Sequence, residues 1–451
     1  MTKFENFLYD MKDKTVDIIG VGVSNRPLIK LLANNGSKVR AFDRNEKLDT
    51  SEFDGLDVEF ILGDGYLEKL GSEIIFRTPG MHPENEFLVK ARQKGCKITS
   101  EMEVFFEVCP CKIIAITGSD GKTTTTTLIS KILENDGYTC HLGGNIGRPL
   151  LCDVPEMADT NVCVVELSSF QLQTMTKSAD VSVITNITPN HLDMHKDMQE
   201  YIDAKKNVFA NQTHDDMLVV NLDDDVSKDY KSDGTTVYFS QYKHSKQGVF
   251  IENDEIILNT GILRKTVMNI NDIVLPGFHN VCNYMTAICA TYKMVDTASI
   301  VEVAKTFRGV EHRIEFVREL DGVKYFNDSI ATSPTRAIAG LNSFDQKVIQ
   351  IAGGYDKKLD FAPLAPVISK SVKKLILVGA TSEKIKTAVR EVDQNIEILM
   401  CDDFTQGVEK SREIAEDGDV VILSPACASF DLFPNFAVRG NLFKKIVNDW
   451  R

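Results

Sequence analysis

Apolar residues along this chain fall into two alternating patterns. Short unbroken runs end in glycine or polar clusters, and longer stretches repeat apolar positions at helical spacing. Unbroken runs of four to six apolar residues read as strands buried on both faces. Ile113, Ile114, Ala115 and Ile116 form one such run, followed by a tight turn over Thr117–Gly121 and a helix from Lys122 onward. TVDIIGVGVSNRPLIKLLANNG reads as strand, glycine turn and helix, with Gly36 closing the helix. KVRAFDR, carrying Asp43 and Arg44, is the next strand, and EIIFRTPG is a later one that ends in a Thr78-Pro79-Gly80 turn. NVCVVEL and VSVITNI are two more buried strands, residues 218–276 are strand-rich, and HLGGNIGRPL reads as a glycine-rich turn. GFHNVCNYMTAICATYKMV is an apolar helix with Asn280 and Asn283 near its start. Beyond residue 310, GVKYFNDS, KVIQIAGG, KKLILVGA, IEILMC and DVVILSPA alternate with helical stretches.

Alternation of strand and helix predicts an α/β chain built on mostly parallel sheets. At 451 residues the chain is long enough for about three domains of ~150 residues. We read a Rossmann-like domain over 1–105, a central P-loop ATPase-like α/β domain over 106–309, and a doubly wound, mostly parallel α/β domain over 310–451. The net charge of −14 argues against non-specific nucleic-acid binding. An acidic chain that handles anions must concentrate its cations locally, which directs attention to Lys and Arg inside motifs. Most of the ten cysteines lie in apolar runs, Cys163 and Cys289 among them, and read as small core residues. Cys109 and Cys111 form a CPC unit with no second pair at zinc-site spacing. With no signal peptide and no apolar run long enough to span a bilayer, the expectation is a cytoplasmic protein with reduced thiols and no membrane insertion.

TGSDGKTTTTT carries the chemistry. Helix N-termini offer free N–H groups and partial positive charge to an anion, and Gly118 and Gly121 allow close backbone approach. Ser119, Asp120, Thr123 and Thr124 complete the loop; Lys122 suits phosphate charge and the Thr123 hydroxyl suits Mg²⁺. The alternative is an ordinary glycine turn feeding a helix, because only two residues separate the glycines. Glu166 ends a buried strand where a Mg²⁺-holding carboxylate would stand, and Ser168 and Ser169 equally suit a helix cap. His191, Asp193 and His195 follow a third parallel strand, a placement that favours a site. Lys205 and Lys206 read from spacing alone as a solvated pair. Asn280 could cap its helix or, with Asn283 on the same face, bind a ligand. In the first domain Gly20 and Gly22 match a dinucleotide fingerprint, but Asn25 stands where the third glycine belongs, so a structural βαβ unit is an equal reading.

Taken together, TGSDGKT, GGNIG, VVELSSFQL, NITPNHLD, AKKNVF, GFHNVCN, GVEHR, YFNDS and IAGGYDK resemble the Mur ligase family, in chain order and over nearly the whole sequence. The closing LSPACASFDLFPNFAVRG looks like the family's D-glutamate-adding branch. The resemblance implies an ATP-dependent ligase of cytoplasmic peptidoglycan precursor synthesis. It would join D-glutamate to UDP-N-acetylmuramoyl-L-alanine through an acyl phosphate, acting as a monomer. By similarity, Lys122 contacts phosphates, Thr123 and Glu166 hold one Mg²⁺, and His191 holds a second. Lys205 is implied to be carbamylated by CO₂ and to serve the metals. Asn280, Asn283, Arg313 and Asp328 are implied for adenine and ribose, with ATP expected at a domain boundary. Asp43, Arg44, Thr78, Asn145, Gln171 and His191 are implied for the UDP substrate. Thr332, Lys357, Ser429 and the backbone near Phe436 are implied for D-glutamate.

One departure stands out. Many members read NDSKAT where this chain reads NDSIAT, so Ile330 occupies a lysine position; either Lys357 or Lys358 compensates, or the glutamate pocket is arranged differently in this subgroup. Relatives adding other amino acids fit the C-terminal stretch less well. A nucleotide-sensing regulator would explain only the phosphate loop, and an NAD-dependent oxidoreductase only residues 16–44.

Overall fold

A computed structural model describes residues 1–189, 194–244, 247–357 and 359–451. The chain forms two compact units, one of residues 1–272 and 281–303, the other of residues 273–280 and 304–451.

The first unit holds two sheets. Strands β1 (Thr15–Ile19), β2 (Lys38–Asp43), β3 (Val58–Leu62), β4 (Ile74–Phe76) and β5 (Lys97–Thr99) form a parallel sheet in the order β3-β2-β1-β4-β5. Alternate side chains divide between two cores. Ile19, Phe42, Ile61 and Ile75 pack on one face, while Val16, Ile18, Ala41 and Phe76 join the larger core on the other. The order of the strands reverses beside β1 while all of them stay parallel, which opens a crevice at the carboxyl ends of β1 and β4.

The second sheet has nine strands in the order β14-β13-β12-β11-β10-β9-β6-β8-β7. They are β6 (Lys112–Thr117), β7 (Cys140–Gly144), β8 (Val162–Glu166), β9 (Val181–Ile184), β10 (Met217–Asn221), β11 (Thr235–Ser240), β12 (Gly248–Glu252), β13 (Glu255–Asn259) and β14 (Arg264–Asn269). Strands β7 to β12 and β6 are parallel, and β12, β13 and β14 meander antiparallel. Here one expectation is corrected: the first half of the presumed turn HLGGNIGRPL is edge strand β7. Its glycines serve close approach, since a Cβ on Gly143 would meet the Arg148 carbonyl at 2.6 Å.

The second unit is a six-stranded sheet in the order β15-β16-β20-β17-β18-β19. Its strands are β15 (Glu315–Leu320), β16 (Val323–Asn327), β17 (Val348–Ala352), β18 (Val372–Val378), β19 (Glu397–Cys401) and β20 (Val420–Leu423). Only β15 runs antiparallel, and separate apolar cores cover the two faces. Among the described residues, no helix is long and apolar enough to cross a membrane.

Candidate active site

Three neighbouring strands of the nine-stranded sheet, β8, β6 and β9, converge their carboxyl ends on the phosphate loop. The loop leaves β6 at Thr117, and Gly121 precedes the helix Lys122–Asn135 with φ of +76°, a conformation glycine tolerates. A side chain at Gly118 would collide with the Thr185 hydroxyl, and a Cβ at Gly121 would stand 2.5 Å from Asn283 Oδ1. The loop is tied down from below. Ser119 N–H donates to the Asn186 carbonyl (2.9 Å), Asp120 N–H to Asn186 Oδ1 (3.0 Å) and Thr185 Oγ1 to the Asp120 carbonyl (2.6 Å). Ser119 Oγ bonds the Thr188 carbonyl and the Tyr201 hydroxyl (2.9 and 2.8 Å). Lys122 Nζ folds back onto the Gly118 and Ser119 carbonyls at 3.0 and 2.9 Å. Thr123 is buried in the first helical turn, and Thr124, beside it, is half-buried.

Glu166, the last residue of β8, is 1% exposed. Its Oε1 accepts from Asn145 Nδ2 at 2.7 Å, while Oε2 is buried with no hydrogen-bond partner among the described residues. A buried carboxylate oxygen left without a donor is costly. A hard divalent cation, which takes oxygen ligands, satisfies it, so the residues fit Mg²⁺ at this point.

Lys205 corrects the reading from spacing. It lies on the helix Met198–Lys206 and is 2% exposed, with Nζ 2.7 Å from the Gly118 carbonyl and 4.6 Å from the Tyr201 ring centroid. Burial, reinforced by the charge of Lys122, drives its pKa well below the usual lysine value, against the opposing pull of Glu166 and Asp120. Lys206 is the surface partner, pairing with Asp203 at 3.3 Å. Helical periodicity carries no sign of this difference, because the two positions are adjacent and both on a polar-looking turn.

His191, Asp193 and Lys358 lie outside the described residues. His195 is buried, 2.9 Å from Ser169 Oγ and 3.4 Å from Glu200, stacked on Phe170. The capping alternative for the serines is present too: Ser168 caps the short helix Ser169–Leu172, and Gln171 closes the capping box through its Oε1. Asn283 Oδ1 accepts from Thr125 at 3.2 Å. Asn280 does not cap its helix; it is the third residue of Phe278–Thr291, and its Nδ2 donates to the Pro276 carbonyl at 2.7 Å.

At the crevice of the five-stranded sheet, Asp43 Oδ2 accepts from Val21 N–H at 2.8 Å and Arg44 is exposed beside it. Thr78 packs against the Gly20 turn, where a Cβ would meet its own at 3.1 Å. Asn25 explains the missing third glycine. It is buried, and its Nδ2 donates to the Ile19 and Gly20 carbonyls at 2.9 and 3.0 Å, stitching the turn shut.

In the second unit the loops after β16, β20 and β17 lie at adjacent carboxyl ends. Asp328 is buried, with Ser424 Oγ donating to Oδ2 at 2.9 Å. Burial pushes its carboxyl up to about 7 despite that bond and a weaker one from Ile314 N–H. Arg313 forms an isolated bridge to Val310. Ser429 is buried, Thr332 half-buried, and Lys357 exposed with Nζ 5.3 Å from the Phe430 ring centroid. Phe436 opens the helix Phe436–Asp449, and its carbonyl accepts from Ser329 Oγ at 2.8 Å.

Two arginines escaped the sequence reading. Arg439 is 2% exposed and ties the loops together, donating to the Ser329, Cys427 and Ala428 carbonyls. Arg336 Nη1 donates to the Ile330 carbonyl at 3.3 Å, which brings a cation beside Ile330. The only sequence signal for Arg336 was its place six residues beyond Ile330, past Ser333-Pro334.

The described geometry agrees with comparisons to known proteins. Residues 116–291 match the Mur ligase middle domain, and residues 312–427 match the Mur ligase, glutamate ligase domain. The chain is 49% identical to the UDP-N-acetylmuramoylalanine–D-glutamate ligase of Acetivibrio thermocellus, covering 99% of both chains. It is 47% identical to the ligase of that name from Clostridium acetobutylicum, again over 99% of each. Among solved structures, a UDP-N-acetylmuramate-alanine ligase of Thermotoga maritima shares the fold at a TM-score of 0.57 and 17% identity, over 96% of this chain and 99% of that one. A MurF ligase of Thermotoga maritima, solved with ADP, does so at 0.52 and 16%, over 98% and 96%.

Proposed function

The chain belongs to the Mur ligase family, and from that premise we infer that it joins D-glutamate to UDP-N-acetylmuramoyl-L-alanine at the expense of ATP. The reading runs as a two-step acyl transfer. The L-alanyl carboxylate attacks the γ-phosphorus of ATP and ADP leaves; the D-glutamate amine then attacks the acyl carbon and phosphate leaves. Both partners of the first step are anions, so cations must offset their repulsion. Lys122, on the phosphate loop, is assigned the phosphates, with Gly118, Ser119, Asp120, Gly121 and Thr124 forming the cradle. Thr123 and Glu166 are assigned Mg²⁺, and His191 a second ion. Bound there, the metal would neutralise developing phosphate charge.

Lys205 is assigned to carbamylation. Its buried amine carries a depressed pKa, so a neutral nucleophile is available to attack CO₂; the N–C bond forms and one N–H proton passes to solvent. The product is an anionic oxygen ligand next to Glu166. This is the observation that carries the mechanism: a lysine buried under a phosphate loop, within electrostatic reach of Glu166, whose second carboxylate oxygen lacks a donor among the described residues.

Asn280, Asn283, Arg313 and Asp328 are assigned to adenine and ribose. Asp43, Arg44 and Thr78 are assigned to the UDP group, with Asn145 and Gln171 along the remainder of that substrate. Thr332, Ser429, Lys357 and the backbone at Phe436 are assigned to the D-glutamate carboxylates, and Arg336 supplies the charge that Ile330 lacks. On this reading the functional regions are 1–105, 106–309 and 310–451, and the enzyme works as a cytoplasmic monomer.

The test is ADP release by the purified chain with ATP, Mg²⁺ and UDP-N-acetylmuramoyl-L-alanine, adding amino acids singly and weighing the product. Turnover with D-glutamate alone, giving its amide adduct, is expected. ATP hydrolysis indifferent to every amino acid would sink the ligase reading.

A further inference from the structure

Away from the phosphate loop, three cysteines meet. Cys109, Cys111 and Cys163 place their Sγ atoms within 4.8 Å of one another. Cys109 and Cys163 sulfurs are 3.6 Å apart, and Met157 Sδ lies 3.7 Å from Cys163. Cys109 and Cys111 flank Pro110 in the connector between the helix Glu101–Val108 and β6, while Cys163 pairs with Ile113 across β6 and β8. The sequence separated them by more than fifty positions, so neither CPC alone nor a lone core cysteine announced the cluster.

We propose that Cys109, Cys111 and Cys163 form a binding site for a thiophilic closed-shell cation, zinc or cuprous, with the Met157 thioether as the adjoining fourth sulfur. Four observations carry it. Soft thiolate and thioether donors select such ions. Metal–sulfur bonds of about 2.3 Å hold tetrahedral thiolates roughly 3.8 Å apart, close to the spacing already present. The carboxylates of Asp180 and Asp159 act on Cys109 and Cys111 respectively, so the surroundings favour a cation. Reactive, readily oxidised thiolates sit instead in electropositive surroundings. Finally, a route in exists: Cys111 and Cys163 are buried, but Cys109 is half-buried and Pro110 is exposed.

Binding exchanges three S–H bonds for three metal–sulfur bonds and passes three protons to solvent. As thiols, Cys109 Sγ donates to the Cys111 carbonyl and Cys111 Sγ to the Ala158 carbonyl, at 3.7 and 3.2 Å, and binding gives up both bonds in exchange for the metal–sulfur bonds. The site lies at the amino ends of β6 and β8. The phosphate loop and Glu166 lie at their carboxyl ends, about 20 Å away for six residues of strand. An ion here would pin the connector to the central sheet and leave the reaction chemistry untouched.

The experiment titrates Cd²⁺ into the full-length, reduced, metal-free chain and follows thiolate-to-metal charge-transfer absorption together with proton release. Saturation at one ion and about three protons per chain is expected, with competition by Zn²⁺ or Cu⁺ identifying the preferred ion. Cys109→Ser and Cys163→Ala should each weaken binding at least tenfold, while Cys289→Ala, a buried cysteine elsewhere, should not change it. Thermal melts of the variants establish that they fold. The proposal is overturned by an absent band, or by a band that survives intact in the Cys109→Ser/Cys163→Ala double variant. A Cys109–Cys163 disulfide forming in air in a chain that binds no Cd²⁺ would overturn it in favour of an oxidisable pair.

Discussion

At the scale of single residues, burial decides chemistry more than residue type does. Lys205 and Lys206 are neighbours with the same side chain. One is enclosed beneath the phosphate loop with a depressed pKa, and the other keeps an ion pair at the surface. The proposed carbamate requires the first situation. Lys205→Gln is therefore expected to lose about 10- to 100-fold in turnover, the scale on which metal-supporting groups act, with the melting temperature little changed. Turnover of the unaltered enzyme should rise when bicarbonate is restored to a CO₂-depleted preparation. Indifference to bicarbonate, with full activity in the variant, would remove Lys205 from the mechanism. Glu166, with one oxygen held by Asn145 and the other lacking a donor, was legible as a strand-end carboxylate. The Asn145 contact that orients it was not.

At the scale of elements, each glycine turn is a small assembly whose partners come from elsewhere in the chain. The Gly20 turn shows this well. A fingerprint search sees a missing glycine, whereas the structure shows Asn25 bridging two carbonyls and Thr78 pressing on the turn from β4. Asn25→Ala would leave both carbonyls without their side-chain donor. We expect a loss of about 1–3 kcal/mol, read from urea midpoints, and a raised KM for the UDP substrate with kcat nearly unchanged. An unchanged midpoint would mean that water replaces the amide at no cost. Strand β1 makes a similar point, because its central Asp17 is fully buried. Arg40 Nε and Nη2 hold its carboxylate at 2.8 Å each, with Ser72 and the Gly71 N–H adding to the set. Such a pair satisfies a charge that an apolar-run template would have rejected.

At the scale of the whole molecule, buried carboxyls tie stability to pH. Burial raises Glu101 in the first unit and Asp328 in the second to about 7 each, from ordinary values of 4.5 and 3.8. Between those limits the folded chain binds more protons than the unfolded chain. The contribution of these two groups to stability is therefore full below the ordinary carboxylate values and declines as pH rises toward 7, then levels off. Glu103, raised by burial, adds in the same direction, while the lowered pKa values of His279 and His312 oppose it over a narrower range up to 6.5. Comparing variants cancels these shared terms. Glu101→Gln should flatten the fall in denaturation midpoint between pH 5 and 7, by an amount on the order of 1–3 kcal/mol, and a slope identical to the parent chain would refute the assignment.

The sequence by itself determined the α/β alternation, the phosphate loop and the strand-end carboxylate. These depend on local patterns: unbroken apolar runs, glycines where the backbone must turn sharply, and a polar residue as each strand leaves the core. The edge strand β7 escaped because its glycines look like a turn until a neighbouring strand pairs with them. Only the tertiary structure decided which lysine is buried, why Asn25 replaces a glycine, how Arg439 joins two loops, and that Cys163 meets the CPC pair. Each of those depends on contacts between residues distant in the chain. Desolvation and hydrogen-bond satisfaction are set by what packs around a group, and no spacing along one segment records that.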